Sequence, residues 1–227
     1  MLIPLTHQDN CSEKVLYYDF SPSPGHRFII LDGYDNSIIG ASSVSLSDAA
    51  DAMIREKNPN YRAGSNDWFI GIPLEDYRFV PYNGGIGERQ LEWLTETLIT
   101  AKTQGELCFI FCHQPVHVKA SREANLLWNA EDVLSLIQQP DNSHVVAFFS
   151  GHDHDGGYSQ DEVGIHHLIP PAPLECEVGE VAYGVFDVHV DHLYLHWTGK
   201  LPPLCVGRSG TAEVGSLKTL IFSVQLL

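Results

Sequence analysis

The chain has 227 residues, 44% of them hydrophobic, which is enough for one sizeable core, and nothing in the composition divides it into two domains of similar size. Its 29 acidic residues outnumber 13 basic ones, for a net charge of −16. Nucleic-acid binders cluster Lys and Arg to neutralise phosphates, and membrane surfaces attract the same residues. The sequence therefore argues against both kinds of partner.

The first part of the chain predicts two strands and a helix. Apolar runs near 14–20 and 27–31 are typical of strands. Ser47 can cap a helix that runs to about Lys57, where Asn58-Pro59 stops it.

A long segment and two further helices follow. Residues 60–86 have mixed polarity, which predicts a loop or insertion of the kind that often forms a functional lid. Gly87 precedes a helical pattern of leucines, and Asn129 is expected to cap a helix over 130–138.

The ending of the chain is patterned as β structure. Residues 164–197 alternate in polarity, and Val190-Asp191 predicts a hairpin turn within them. In an alternating strand only one of His166 and His167 can face inward, and we interpret both as structural.

Histidines follow two candidate buried strands. Val145–Phe149 is apolar and leads through Gly151 to His152 and His154, while Leu107–Cys112 leads to His113 before a Gln-Pro pair. In open α/β sheets, ligands collect beyond the carboxyl ends of the strands. Imidazole is a common metal ligand, and flanking glycines would allow the rings to turn to one point. We predict that His113, His152 and His154 bind metal, the alternatives being a polar surface loop and a packed His113.

Several other polar residues are open to two interpretations. Asn83-Gly84-Gly85 could hold a phosphate before a helix or simply form a turn. Asp32 and Asp35 could support the metal-binding histidines or shape a turn. His117 is predicted to be a loop residue, and Asp153, with Asp155, to orient its loop rather than bind an ion.

The two histidine motifs resemble those of calcineurin-like metallophosphoesterases. Other segments narrow the resemblance to the manganese-dependent ADP-ribose/CDP-alcohol diphosphatases, over about residues 13 to 201. These segments are Leu31-Asp32-Gly33-Tyr34-Asp35, Asn83-Gly84-Gly85, Gln90-Leu91-Glu92-Trp93-Leu94, Leu127-Trp128-Asn129 and Leu174-Glu175-Cys176.

The sequence departs from this family at its start. The family's Asp-x-His, Gly-Asp-x-x-Asp and Gly-Asn-His motifs are absent, and with them the histidine thought to assist the leaving group. His7 lacks the neighbours of that motif. We therefore expect an N-terminally truncated chain with no complete catalytic motif. We also expect a partial domain over 1–202 and a divergent tail over 203–227, which could instead be an edge strand.

The resemblance implies a fold and a reaction. The fold would be α/β, a sandwich of two β-sheets flanked by helices and incomplete at the N-terminus. The reaction would be hydrolysis of the pyrophosphate bond in small nucleoside diphosphate derivatives, with two Mn²⁺ ions, or Mg²⁺ as an alternative. His113 and His152 would hold one ion and His154 the other. This chain alone would be weak or inactive.

Two alternatives stay open beside that function. One is a non-catalytic remnant or binding protein, and the other is a metallophosphoesterase for phosphomonoesters or cyclic nucleotides. The family implies a monomer, whereas an exposed sheet edge here would allow self-association. Five unevenly spaced cysteines, and a start without the features of a signal peptide, favour the cytoplasm.

Overall fold

A computed structural model describes residues 15–41, 43–188, 192–199 and 218–223. The helices and strands are, in chain order, β1 (Tyr18–Ser23), β2 (His26–Ile30), β3 (Asn36–Ser37), α1 (Val44–Lys57), α2 (Pro59–Arg62), β4 (Gly84–Gly85), α3 (Glu88–Gln104), β5 (Leu107–Phe111), α4 (Ala130–Ile137), β6 (Val145–Phe149), β7 (Gly157–Gln160), β8 (His166–Ile169), β9 (Ala182–Val188), β10 (His192–Gly199) and β11 (Lys218–Ser223). In the described part of the chain no helix is long and apolar enough to cross a membrane.

The main sheet has six strands in the order β1-β2-β5-β6-β8-β7. The four central strands are parallel, and an antiparallel hairpin partner closes each side. Parallel strands need crossover connections, and α3 supplies the one before β5 while α4 supplies the one before β6. This topology brings the carboxyl ends of β2, β5 and β6 to one edge of the sheet.

Both faces of the main sheet are covered, which explains why its central strands are apolar without alternation. On one face, Leu94 and Leu98 of α3 and Ile137 of α4 are fully buried against Ile110 and other side chains of the sheet. On the opposite face, residues such as Phe109 pack toward β9. The strands that lead into the histidine loops, β5 and β6, are therefore packed on both faces.

The second layer is a three-stranded antiparallel sheet in the order β11-β10-β9. It stacks on the main sheet through Phe186 of β9, whose ring lies edge-on to Phe149 of β6 at 4.8 Å between centroids. The predicted α/β sandwich of two sheets is confirmed. The hairpin turn predicted at Val190-Asp191 lies outside the described residues, but the strands on either side of it pair as expected.

The tail and the first strand differ from the simplest expectation. Residues 218–223 pair with β10 as an edge strand, which was the alternative for the tail, while the boundary at 202/203 falls outside the described residues. The first strand begins at Tyr18, later than the predicted 14, and turns directly into β2.

The cap of α1 was placed wrongly. Ser43, and not Ser47, is the N-cap, because its Oγ accepts a hydrogen bond from the backbone N–H of Leu46. The Oγ of Ser47 instead donates to the carbonyl of Ile38. The end of the helix agrees with the prediction, since the N–H of Asn58 bonds the carbonyl of Ile54 and Pro59 starts the next helix.

The segment 60–86 is more structured than a loop. It contains most of α2, a 3₁₀ turn at Leu74–Asp76 and β4. The buried Asn58 side chain holds it down by donating to the carbonyls of Trp68 and Phe79. Gly84 of β4 lies so close to Gly33 that an added Cβ would be 2.3 Å from the Gly33 carbonyl oxygen. The segment is therefore fixed against the main sheet.

One prediction about the histidines of the sheet needs correction. His166 and His167 are both buried, at 8% and 2% exposure, because each face of the sheet is covered. His117 lies in a loop as predicted but is also buried, with its ring stacked on that of His167 at 4.5 Å. All three belong to the interior.

Candidate functional site

The site lies where three parallel strands end in register. Ile30 of β2 is opposite Phe111 of β5, which is in turn opposite Phe149 of β6. Backbone bonds continue beyond the strands, and the N–H of Gly151 donates to the carbonyl of His113 at 2.9 Å. The loop after β6 is thus held beside the loop after β5.

His113 and His152 face each other across these two loops. Nε2 of His113 lies 3.1 Å from Nδ1 of His152, and the ring centroids are 4.9 Å apart. The flanking glycines are expected to allow unusual backbone geometry, and Gly156 adopts it, with φ of 75°. His152 itself also adopts a left-handed conformation, with φ of 65°. That geometry costs a non-glycine residue about 1–3 kcal/mol, so contacts of the side chain must offset it.

The other nitrogen of His152 is also engaged. Its Nε2 lies 2.7 Å from Oδ1 of Asn83, a fully buried residue that immediately precedes β4. The structure does not favour the phosphate-binding interpretation of Asn83-Gly84-Gly85, because both glycines belong to strand β4, which pairs with β3. Sequence reasoning missed the contact of Asn83 with His152, although the Asn-Gly-Gly segment itself was singled out.

His154 occupies a more open position on the same loop. Its Nδ1 lies 3.2 Å from Oε1 of Glu175, and both side chains are about half exposed. Burial is the main cause that lowers the pKa of His113 and His152, and the nearby His154 acts in the same direction. The three predicted residues therefore lie within electrostatic reach of one another, but only two of the rings are in contact.

Burial keeps the paired imidazoles neutral. It is the main cause that lowers the pKa of His113, and it lowers the pKa of His152 to about 4, with the neighbouring histidines acting in the same direction. Neutral imidazole presents a lone pair, which is the form that ligates metal. Each neutral ring therefore has one nitrogen that could bind a cation at neutral pH.

Asp153 orients its loop, as predicted. It is only 3% exposed and accepts hydrogen bonds from Ser121 Oγ, from the backbone N–H of Arg122 and from the Arg122 guanidinium. Asp155 is exposed and lies 3.4 Å from the same guanidinium.

Asp32 and Asp35 follow the structural interpretation. Oδ1 of Asp32 accepts from the backbone N–H of Tyr34 within a turn. Oδ2 of Asp35 accepts from the N–H of Gly87, at the start of α3, and from the side chain of Gln90. These contacts connect the loop after β2 to α3.

An apolar recess of about 430 Å³ opens beside His113, between the two sheets. It is lined by Ile30, Leu31, Phe111, Cys112, His113, Phe149, Ser150, Pro170 and Phe186. The thiol of Cys112 in this wall is buried, which raises its pKa to about 12 and keeps it protonated. It is a packing residue.

The donor atoms fit a metal ion only in part. With metal–nitrogen bonds of about 2.1 Å, two nitrogens at right angles around one ion are about 3.0 Å apart, close to the spacing of the His113 and His152 nitrogens. Across the described residues, however, no group of three or more His, Cys, Asp or Glu side chains is arranged to hold a metal ion. The described part of the chain thus offers a pair of ligands rather than a complete set.

Comparison with known proteins identifies relatives over most of the chain. The manganese-dependent ADP-ribose/CDP-alcohol diphosphatase of Oryza sativa is 39% identical over 201 residues, which cover 88% of this chain and 61% of the relative. The protein of the same name from Arabidopsis thaliana is 40% identical over 186 residues, covering 82% and 58%. The human one is 36% identical over 192 residues, covering 84% and 54%. No family model matches the sequence.

A solved structure agrees with these relatives. The crystal structure of a dimetal phosphatase from Danio rerio has a TM-score of 0.77 and 30% identity, covering 92% of this chain and 60% of that one. The chain therefore spans little more than half the length of the proteins that it matches. Sequence and fold together show that it belongs to the manganese-dependent ADP-ribose/CDP-alcohol diphosphatase family.

Proposed function

We propose that this chain takes part in the metal-dependent hydrolysis of the pyrophosphate bond of small nucleoside diphosphate derivatives such as ADP-ribose and CDP-alcohols. The observation that carries this proposal is the convergence of His113 and His152 at adjacent strand ends. The relatives' names supply the metal and the substrate class.

Each of the three histidines has a role in this proposal. His113 and His152 hold one Mn²⁺ ion, with Mg²⁺ as the alternative, and His154 holds a second. Such cations neutralise phosphate charge and lower the pKa of a bound water. His113 and His152 contribute neutral nitrogens at the edge of the sheet, and the Asp153–Arg122 contact keeps the loop of His152 in place.

The chain alone is expected to be a poor catalyst. Imidazoles without carboxylates bind Mn²⁺ weakly, because Mn²⁺ lies at the weak end of the divalent series and prefers oxygen ligands. No complete ligand group is present within the described ranges. When several residues act as one catalytic unit, loss of one member removes most of the rate acceleration, so we expect an incomplete set of metal ligands to give slow hydrolysis.

The test combines a Mn²⁺ titration with hydrolysis assays of ADP-ribose and CDP-choline, beside the full-length rice relative. We expect Mn²⁺ binding that His113→Ala abolishes, and hydrolysis slower than that of the rice protein by about 1,000-fold or more. Equal rates would show that residues such as Asp32, Asp35 or Asp153 supply the missing carboxylates.

Other outcomes would select the alternatives. Absence of Mn²⁺ binding would favour a non-catalytic binding protein. Faster hydrolysis of a phosphomonoester or a cyclic nucleotide than of ADP-ribose would favour a different metallophosphoesterase activity.

The remaining proposals concern location and assembly. We place the protein in the cytoplasm, where Cys108, Cys112 and Cys176 would stay as the free thiols that the structure shows.

In the described part of the chain β9 pairs only with β10, and its Tyr183 and Val185 are about half exposed. We expect this edge to support self-association, so a stable monomer in light scattering would contradict that proposal.

A further inference from the structure

We propose that Asn83 is a positioning residue, which fixes the nitrogen that His152 presents to His113. The use of that nitrogen for metal rests on the proposed function. The orientation of the ring does not, because it follows from hydrogen bonds within the chain.

The orientation of the Asn83 amide is determined by its neighbours. Its Nδ2 lies 2.9 Å from the carbonyl oxygen of Arg78 and 2.7 Å from that of Ala124. Carbonyl oxygens only accept hydrogen bonds, so the NH₂ group must be on this side and use both hydrogens there. Oδ1 of Asn83 consequently points toward His152 and can only accept.

This orientation decides the tautomer of His152. Nε2 of His152 is 2.7 Å from Oδ1 of Asn83 and must donate to it. A neutral imidazole carries a single N–H, so Nδ1 then carries the lone pair. That lone pair faces Nε2 of His113 at 3.1 Å. Asn83 thus makes Nδ1 the nitrogen of His152 that can bind a cation together with His113.

Asn83 is held firmly enough for this task. It is fully buried, and one of its carbonyl partners belongs to Arg78, whose buried guanidinium pairs with Glu123 and Glu131. The other partner, Ala124, lies in the turn next to Glu123. The ion pairs thereby fix both acceptors of the amide.

The same contact helps to account for the backbone of His152. A left-handed conformation at a non-glycine residue is unfavourable by about 1–3 kcal/mol and persists only where the surroundings determine it. The bond to Asn83 and the contact with His113 use both ring nitrogens, so they define one ring position.

The first test is a spectrum of the unaltered chain. Protein labelled with ¹⁵N-histidine is studied without metal at about pH 8, above the usual imidazole pKa of about 6.5. Long-range ¹H–¹⁵N correlations report which nitrogen carries the proton, and the His152 signals are assigned by their loss in His152→Gln. We expect the Nε2–H form, and the Nδ1–H form would overturn the proposal.

The second test removes the amide. In Asn83→Leu we expect the His152 signals to move toward a mixture of tautomers, and the affinity for Mn²⁺, measured by calorimetry with the metal alone, to fall about 10-fold or more. Asn142→Leu is the matched control, because Asn142 is also buried and donates to a carbonyl, that of Leu136. It should change neither quantity. If Asn83→Leu does not fold, the spectrum of the unaltered chain decides.

The outcomes separate this inference from the proposed function. The Nε2–H form without any Mn²⁺ binding would leave the role of Asn83 standing and remove the metal site. If the chain binds Mn²⁺ and Asn83→Leu changes neither the tautomer nor the affinity, the metal site stands and the role of Asn83 is wrong.

Discussion

Two groups of histidines, on the main sheet and on the loops beside it, have opposite environments. His117, His166 and His167 form an interior group, in which each ring has a polar partner within the fold. His113 and His152 form a strand-tip pair, whose nitrogens face each other at the sheet edge. Residue type is the same in both groups, so the partners distinguish a structural histidine from a candidate ligand.

The interior group is organised around a buried carboxylate. Asp161 accepts from Nε2 of His167, from the side chain of Gln138 and from the backbone N–H groups of Val163 and Ile165. These hydrogen bonds outweigh the effect of burial and hold the pKa of Asp161 well below its usual range. The interior histidines therefore make hydrogen bonds to polar groups of the interior, whereas among the described residues Asn83 is the polar partner of the strand-tip pair.

The largest expected effect comes from removing the carboxylate of the interior group. Asp161→Ala leaves buried donors without an acceptor, and we expect the free energy of unfolding in urea to fall by about 3–5 kcal/mol. Asp155→Ala is the matched control, since Asp155 is exposed and its contact with Arg122 is long, and it should change stability by less than about 0.5 kcal/mol. If both variants lost the same free energy of unfolding, Asp161 would not be a special support of the interior histidines.

A smaller effect is expected from the protonation of His166. Burial lowers its pKa to about 4, so the unfolded chain binds a proton before the folded one does as pH falls below about 6.5. Neutral His166 therefore costs the folded chain no stability above the unfolded pKa of about 6.5. Below that pH, the free energy of unfolding falls, because the unfolded chain gains a proton that the folded chain does not bind until about pH 4. Between pH 7 and pH 5 we expect His166 to contribute a loss of about 2 kcal/mol.

The measurement is urea unfolding at several pH values. His166→Gln should flatten the pH dependence between pH 7 and 5. A slope that His166→Gln does not alter would assign the acid sensitivity to another group, such as His117, whose pKa is also lowered by burial.

Local patterns predicted most of the fold. The apolar runs of β5 and β6 and the leucine spacing of α3 each identify one element, because burial of those side chains depends on their periodicity. The cap of α1 was misplaced because Ser43 and Ser47 are equally good caps by residue type. Only the hydrogen bond to Leu46 distinguishes them.

The site was less predictable than the fold. That His113 and His152 would follow adjacent strands could be inferred from the apolar run before each. The contact of Asn83 with His152 joins residues 69 positions apart in sequence, and no local pattern encodes it. The same limit applies to His166 and His167, because coverage of the second face of the sheet depends on Phe186 and its strand.

The smallest expected effect is stabilisation of the strand-tip pair by metal. A ligand that binds only the folded chain raises the free energy of unfolding by RT ln(1 + [L]/Kd), which is about 1.4 kcal/mol when Mn²⁺ is about ten times its Kd. We expect His113→Ala to abolish this increase in thermal melts. His117→Ala should lower stability without Mn²⁺ but retain the increase, since His117 bonds Ser159 rather than the strand-tip pair. The division of the histidines into a structural group and a metal-binding pair would be wrong if Mn²⁺ still stabilised His113→Ala, or if Mn²⁺ no longer stabilised His117→Ala.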